Sequence, residues 1–287
     1  MPTDASLHHV LAAIRAQVNA IRAHERGART GRDPEDLHEM RVAVRRIRAI
    51  LRAGRPLFEG RWVDRLRQEL DWLGAALGGP RDLDILRADL APRVTALGAS
   101  QRPAVRRLLR RLDRDRARAR SALCVALARP RYRRLIARLE AAVRRPQRGT
   151  PGVSLLGVAA EEFRKLRRAA QALPGHPSAA ELHAVRIRLK RARYAAELVR
   201  ATVGRGAERF LRQAQKVQQI LGEHQDTVVI EAYLHDALDR RDPDRALGRS
   251  LIREQRKRRK KARGAFFEEW PRLERRGRKA WSAQATP

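Results

Sequence analysis

Cysteine is almost missing: Cys124 is the only one in 287 residues. No disulfide can form within the chain, every multi-cysteine zinc motif is excluded, and a reducing compartment fits. Its apolar surroundings, Ser121-Ala122-Leu123-Cys124-Val125-Ala126-Leu127, predict a small buried side chain. Aromatic residues make up only 4%, too few for the stacking platforms by which single-stranded nucleic acids are held. No stretch approaches the roughly 20 apolar residues that span a bilayer. The opening Met1 to Val10 lacks the cationic start and apolar run of a signal peptide, so the chain reads as cytoplasmic, with no membrane contact. Glycine-rich phosphate loops, HExxH and nucleophile-elbow motifs are absent too, which leaves no cofactor, no metal site and no catalytic residue to assign.

What is abundant is arginine. Lys and Arg number 65 against 32 Asp and Glu, a formal charge of +33, and all but seven of the cations are Arg. Part of that bias fits a GC-rich genome, so placement has to carry the argument. With 43% hydrophobic residues the chain folds, and it folds against self-repulsion that a polyanionic partner would relieve.

Apolar residues recur at three- and four-residue spacing nearly throughout, with no strand-like alternation, which predicts an all-α fold. The clearest helix spans Pro34 to Ala53, capped by Asp33, opened by Pro34 and stopped at Gly54 and Pro56, with the seam Leu37, Met40, Val44, Ile47 and Leu51. This helix is written twice. Leu37-His38-Glu39-Met40-Arg41 returns as Leu182-His183-Ala184-Val185-Arg186, an offset of 145, and the seam Leu66, Leu70, Leu73, Leu77 returns as Phe210, Ala214, Val217, Leu221 at 144. Arg-rich helices at about 103–128 and 244–270, each followed by a proline (Pro130, Pro271), hold equivalent places. The expectation is two pseudo-symmetric antiparallel four-helix bundles with additional long helices: residues 1–145, a Pro/Gly-rich linker at 146–152, and residues 153–287.

In the first repeat His38, Arg41, Arg45, Arg48 and Arg52 each follow a seam position by one residue, forming a cationic stripe beside the apolar one. From His38 to Arg48 the stripe covers about 15 Å at 1.5 Å per residue. The second repeat carries His183, Arg186, Lys190 and Arg193 in the same register. A solvated helix face normally mixes signs, whereas stacked like charges repel by a few tenths of a kcal/mol each. The alternative is neutralisation by internal acids such as Asp82, Asp84 and Asp226. If the stripes line a common groove, they suit a long phosphate polymer, since guanidinium groups grip phosphate oxygens through paired N–H donors. His38 and His183 open their stripes in the first helical turn, where free amides also favour anions; a capping or packing role is the plainer alternative. No second His or carboxylate at ligand spacing marks either as a metal site. Asp82 and Asp226 follow a Gly-containing break and should start the next helix or orient an Arg of the stripe. Arg256-Lys257-Arg258-Arg259-Lys260-Lys261 reads as an additional anion surface, and Arg22 and Arg167, at the same offset, are weaker candidates.

Leu182-His183-Ala184-Val185-Arg186-Ile187-Arg188-Leu189-Lys190-Arg191-Ala192-Arg193 with Leu77-Gly78-Gly79-Pro80-Arg81-Asp82 resembles the CHAD family, the conserved histidine α-helical domains. The resemblance covers nearly the whole chain and implies that the two halves together form one CHAD domain. It implies non-catalytic binding of inorganic polyphosphate, or another phosphate polyanion, on a central basic surface or pore, with possible targeting to polyphosphate granules. The expected binding set is His38, Arg41, Arg45, Arg46, Arg48, His183, Arg186, Lys190, Arg191 and Arg193, with Arg22 and Arg167. Gln225 replaces the Arg of the RD element in the second half, and Glu197 stands where the first half has Arg52, so the halves need not contribute equally. Some relatives carry an attached CYTH triphosphate-processing domain, for which this chain has no space. Non-specific nucleic-acid binding, a metal-dependent phosphohydrolase and recruitment of an acidic protein are the competing readings; oligomeric state is not readable from the sequence.

Overall fold

The computed structural model describes residues 2–95, 101–149, 154–238 and 244–281. Those residues are helical nearly throughout and form no strand; their one β-bridge, Phe58 with Arg148, fastens the segment before residue 150 to the turn at Arg55–Leu57. The amides of Glu59 and Gly149 complete that clasp, donating to the carbonyls of Gln147 and Leu57. Gly149 is required there, since a Cβ would lie 2.5 Å from the Phe58 carbonyl oxygen.

The helices are α1 (Pro2–Thr30), α2 (Pro34–Ala53), α3 (Gly60–Thr95), α4 (Arg102–Ala128), α5 (Pro130–Arg144), α6 (Leu155–Gln171), α7 (Ala179–Leu198), the single turn α8 (Arg200–Val203), α9 (Arg205–Ala237) and α10 (Arg245–Trp281). The order of packing repeats. α1 lies on α2, α2 on α3 and α3 on α4; α6 lies on α7, α7 on α9 and α9 on α10. α2 keeps its expected bounds and cap, with the Asp33 carboxylate accepting from the Glu35 amide at 2.8 Å. α7 is started differently, by a capping box in which Ser178 and Glu181 each accept from the other's amide.

Both seams are buried: Leu37, Met40, Val44, Ile47 and Leu51 in α2, and the paired sets Leu66 to Leu77 in α3 and Phe210 to Leu221 in α9. They belong to one apolar core that joins α1, α2 and α5 to α6, α7 and the end of α10. A second, smaller core is assembled from the far ends of two helix pairs, with Leu86 and Leu90 of α3, Leu108 of α4, Ile230 and Leu234 of α9 and Leu247 and Leu251 of α10.

Four expectations need correction. The chain does not break at Leu77-Gly78-Gly79-Pro80; α3 runs through it, so Asp82 lies mid-helix and caps nothing. Proline costs one backbone hydrogen bond there, but its fixed φ suits a helix, and leucines on both sides stay buried. Asp226 likewise sits inside the unbroken α9. The prolines after the long Arg-rich helices are not equivalent. Arg129 is extended (φ −65°, ψ 147°), so Pro130 opens the separate helix α5, whereas Pro271 is carried inside α10. Finally, Cys124 is only half-buried, its thiol donating to the Arg29 carbonyl at 3.4 Å.

Candidate functional site

α2 and α7, the helices that carry the two stripes, pack against each other. That contact brings the stripes together. Lys190 lies in the field of Arg186 and Arg193 of its own helix and of Arg41 and Arg45 of α2, and burial together with these four cations lowers its pKa to about 7. Burial is also the first cause that depresses Arg186; Asp226 opposes the shift, and Arg45 and Arg41 deepen it. The link between helices is a hydrogen bond from Arg45 Nε to the buried Tyr194 hydroxyl at 3.3 Å, while the Arg193 guanidinium lies 4.8 Å from the Tyr194 ring centroid.

Some stripe positions are partly neutralised, as the alternative reading anticipated. Arg41 pairs with Asp82 at 3.2 Å, Arg48 with Asp71, and Arg193 with Glu197 at 3.5 Å. The compensation is incomplete. Among the described residues no carboxylate pairs with Arg45, Arg46, Arg186, Lys190 or Arg191. Five expected binding residues, Arg46, Arg167, Arg186, Arg191 and Arg193, hold a buried Nε–H with no hydrogen-bond partner among the described residues, and Arg81 does the same. A buried donor without an acceptor costs about 1–3 kcal/mol, and here six are gathered in the helices that build the site.

Two further groups flank this centre. On one side Arg52 is depressed first by burial and then by Arg191 and Arg67, and Arg191 first by burial and then by Arg188, with Glu162 opposing both shifts. On the other side a cavity of about 660 Å³ is lined by Arg46, Arg193, Arg200 and Arg212 with Glu197 and Glu208. Arg52, Arg67, Arg81 and Arg188 were not in the expected set. Arg52 continues the stripe and Arg81 is the arginine of the RD element, so both had a signal; Arg67 reaches the site from α3, and no periodicity in α2 or α7 points to it.

Glycine makes room for the stripe. A Cβ at Gly78 would lie 3.0 Å from Arg41 Nη1, and one at Gly74 would lie 3.4 Å from Arg48 Nη1. Gly78 of the Gly-Gly that reads as a helix break is thus, with Gly74 one turn earlier, a gap in the side of α3 across which two stripe arginines lie.

The two histidines sit in different settings. His183 Nδ1 is 2.7 Å from Gln225 Oε1, an acceptor that favours the tautomer with its proton on Nδ1. The His38 ring is pushed below its ordinary pKa, first by burial and then by Arg81, with Glu35 and Glu39 opposing and Arg45 adding to the shift. Ligand atoms of Glu35, His38 and Glu39 lie within 4.8 Å of one another, which corrects the expectation that no carboxylate approaches that histidine; the first turn of α2 brings them together. The charges of Arg81 and Arg45 work against a cation there.

The remaining candidates stand apart. Arg22 is paired with Glu140 of α5 at 2.9 Å on an exposed face. In the run 256–261, Arg256 and Arg259 are tied to Glu231 and Arg258 to Asp89, so among the described residues only its lysines have no carboxylate partner. Among the described residues no helix is long and apolar enough to cross a membrane.

Residues 12–235 match the CHAD domain family. The chain is 33% identical over 239 residues to the uncharacterized protein Rv2226 of Mycobacterium tuberculosis, covering 77% of this chain and 44% of that protein, so it spans less than half the length of the curated relative. Among solved structures it resembles PptA from Streptomyces chartreusis, with a TM-score of 0.75, 26% identity and coverage of 92% of this chain and 98% of the other. It also resembles the CHAD domain from the plant Ricinus communis, with a TM-score of 0.65, 27% identity and coverage of 86% and 84%. With its stripe helices, its RD element and an all-helical architecture that solved relatives share, the chain belongs to the CHAD family.

Proposed function

We propose that this protein binds inorganic polyphosphate without transforming it, on the basic surface where α2 meets α7. The family is associated with polyphosphate binding, and this chain offers chemistry to match. The observation that carries the reading is the set of buried guanidinium Nε–H donors at Arg46, Arg186, Arg191 and Arg193 with no acceptor. A chain of phosphates supplies many acceptor oxygens and one charge per unit, and would satisfy those donors while relieving the repulsion around Lys190. The residues held to bind are Arg41, Arg45, Arg46, Arg48, Arg186, Lys190, Arg191 and Arg193, with His38 and His183 at the stripe ends and Arg52, Arg81 and Arg188 added beside them. Arg167 stays in the set for its unpartnered Nε; Arg22, held by Glu140, leaves it. The protein works in the cytoplasm, at polyphosphate granules, and residues 1–145 and 153–287 act as two halves of one binding unit.

The test is competition at physiological ionic strength between long-chain polyphosphate and duplex DNA matched in phosphate, because non-specific DNA binding weakens steeply with salt. Polyphosphate should displace DNA; the reverse would favour a nucleic-acid function. Replacing Arg41, Arg45, Arg186 and Lys190 together with Gln should weaken polyphosphate binding on the order of a hundredfold or more, with helical circular dichroism intact. Unchanged affinity would remove the central cluster from the site.

A further inference from the structure

We infer a second phosphate-binding site on the outer side of the molecule, in a cavity between the start of α9 and the end of α10. It is about 530 Å³ in volume and is lined by Gly206, Arg209, Arg272, Arg275, Arg276 and Lys279. Five of these six are cationic and none is acidic, whereas the cavity beside Arg46 includes Glu197 and Glu208 and the one beside Arg107 includes Asp244. None of the six belongs to the α2/α7 cluster.

The pattern repeats the logic of the stripes. Residues 272, 275, 276 and 279 are spaced 3, 1 and 3 along α10, so they share one helical face with a single sign of charge. Two acids of α10 beside these residues are already engaged, and Glu208 of α9 lines the cavity beside Arg46. Glu269 accepts from Lys216 and Gln213 as well as from Arg272, and Glu274 accepts from Arg278. Among the described residues no carboxylate pairs with Arg209, Arg275 or Arg276. The adjoining start of α9 adds the positive end of a 33-residue helix. Its backbone bonding begins only with the Glu208 amide, which donates to the Gly204 carbonyl.

One carboxylate would leave most of this charge uncompensated. A short chain of phosphates brings several charges into a small volume and matches guanidinium geometry oxygen by oxygen. The ligand class is therefore an oligophosphate or a segment of a phosphate polymer. If the centre between α2 and α7 also binds phosphate, as proposed above, one protein holds a polymer at two places and can bridge two strands.

Titration calorimetry of the full chain with tripolyphosphate at physiological ionic strength tests this. Wild type should bind two equivalents. The variant Arg209→Gln, Arg275→Gln, Arg276→Gln should lose one of them, with the affinity at that site lowered roughly tenfold or more, and Arg45→Gln, Arg186→Gln, Lys190→Gln should lose the other. An outer variant that keeps the wild-type stoichiometry and affinity overturns the inference, as does a wild type whose binding disappears wholly with the central variant. If the outer variant loses an equivalent while the central variant binds like wild type, the outer site stands and the central reading fails. Should the triple outer variant lose helicity, Arg276→Glu alone is read in the same titration, with the same outcomes deciding.

Discussion

α2 and α7 carry the same motif, yet the surroundings of the two copies differ in kind. In the first, Arg41 and Arg48 are each matched by an aspartate of α3, and both lie across glycines of that helix. In the second, Arg186 and Lys190 have no ion-pair partner among the described residues and bear the heaviest desolvation. The histidines divide the same way. His183 is oriented by Gln225, and His38 faces Arg81. In the duplicated sequence Arg41 and Arg48 of the first copy are held by aspartates, while Arg186 and Lys190 of the second are left in want of a counter-charge. Tyr194 joins them, since Ala49 stands at its place in the first half and only the α7 copy can accept from Arg45.

The largest test of this asymmetry compares Arg186→Gln with Arg41→Gln. Arg186 holds a buried Nε without an acceptor and has no carboxylate partner among the described residues, whereas Arg41 is paired with Asp82, so the loss of Arg186 should weaken polyphosphate binding roughly tenfold or more, and that of Arg41 only severalfold. Equal losses in a direct binding titration would erase the distinction.

Lys190→Met comes next, and its sign differs between binding and stability. The folded-state pKa of Lys190, about 7, lies below the ordinary lysine value. The unfolded chain therefore holds the extra proton between about pH 7 and pH 10.4, and this group makes stability rise with pH across that window. At pH 6 it is charged in both states and its desolvation cost is fully present. Lys190→Met should raise the melting temperature of the ligand-free protein at pH 6, flatten its rise toward pH 10, and weaken polyphosphate binding most at the lower pH. Bound phosphate should draw a proton onto Lys190 near neutral pH, measurable as buffer-dependent heat in calorimetry.

A smaller effect separates the paired glycines. Gly78→Ala places a Cβ against the Arg41 guanidinium, while the counterpart Gly222 has nothing within 4 Å of such an atom. Both changes favour the helix by up to about 1 kcal/mol. Only Gly78→Ala should weaken polyphosphate binding, by severalfold, and Gly222→Ala should raise stability with binding unchanged. The smallest is Arg81→Gln, which imports the second half's residue beside His38. Removing that cation should raise the pKa of His38, followed by its ring resonances in an NMR titration; an unmoved midpoint would show that Arg81 has no part in depressing it.

Much of the fold was legible because its signals are local. Asp33, Pro34 and Gly54 bound α2, and the 3,4 spacing of Leu37 to Leu51 named its buried face. Gly78-Gly79-Pro80 misled for the same reason. These residues weaken a helix locally, and the leucines packed on either side of them hold α3 together from a distance. At Pro130 and Pro271 one residue type has two outcomes, decided by the backbone before it: extended at Arg129, helical before Pro271. Within the site, the stripe residues were named from periodicity, and Arg67 and Tyr194 were not, since each joins it through contacts between helices.

By itself the sequence determined the helices, their duplication and the single-sign stripes, because helix geometry turns residue spacing directly into a shared face. The tertiary structure decided which stripe positions stay uncompensated. Arg41 meets Asp82, Arg186 keeps an unpartnered donor, and Lys190 falls among four guanidinium groups. Charge compensation depends on distances of a few ångströms between helices far apart in the chain, and desolvation depends on what covers a side chain. Spacing along a single helix encodes neither.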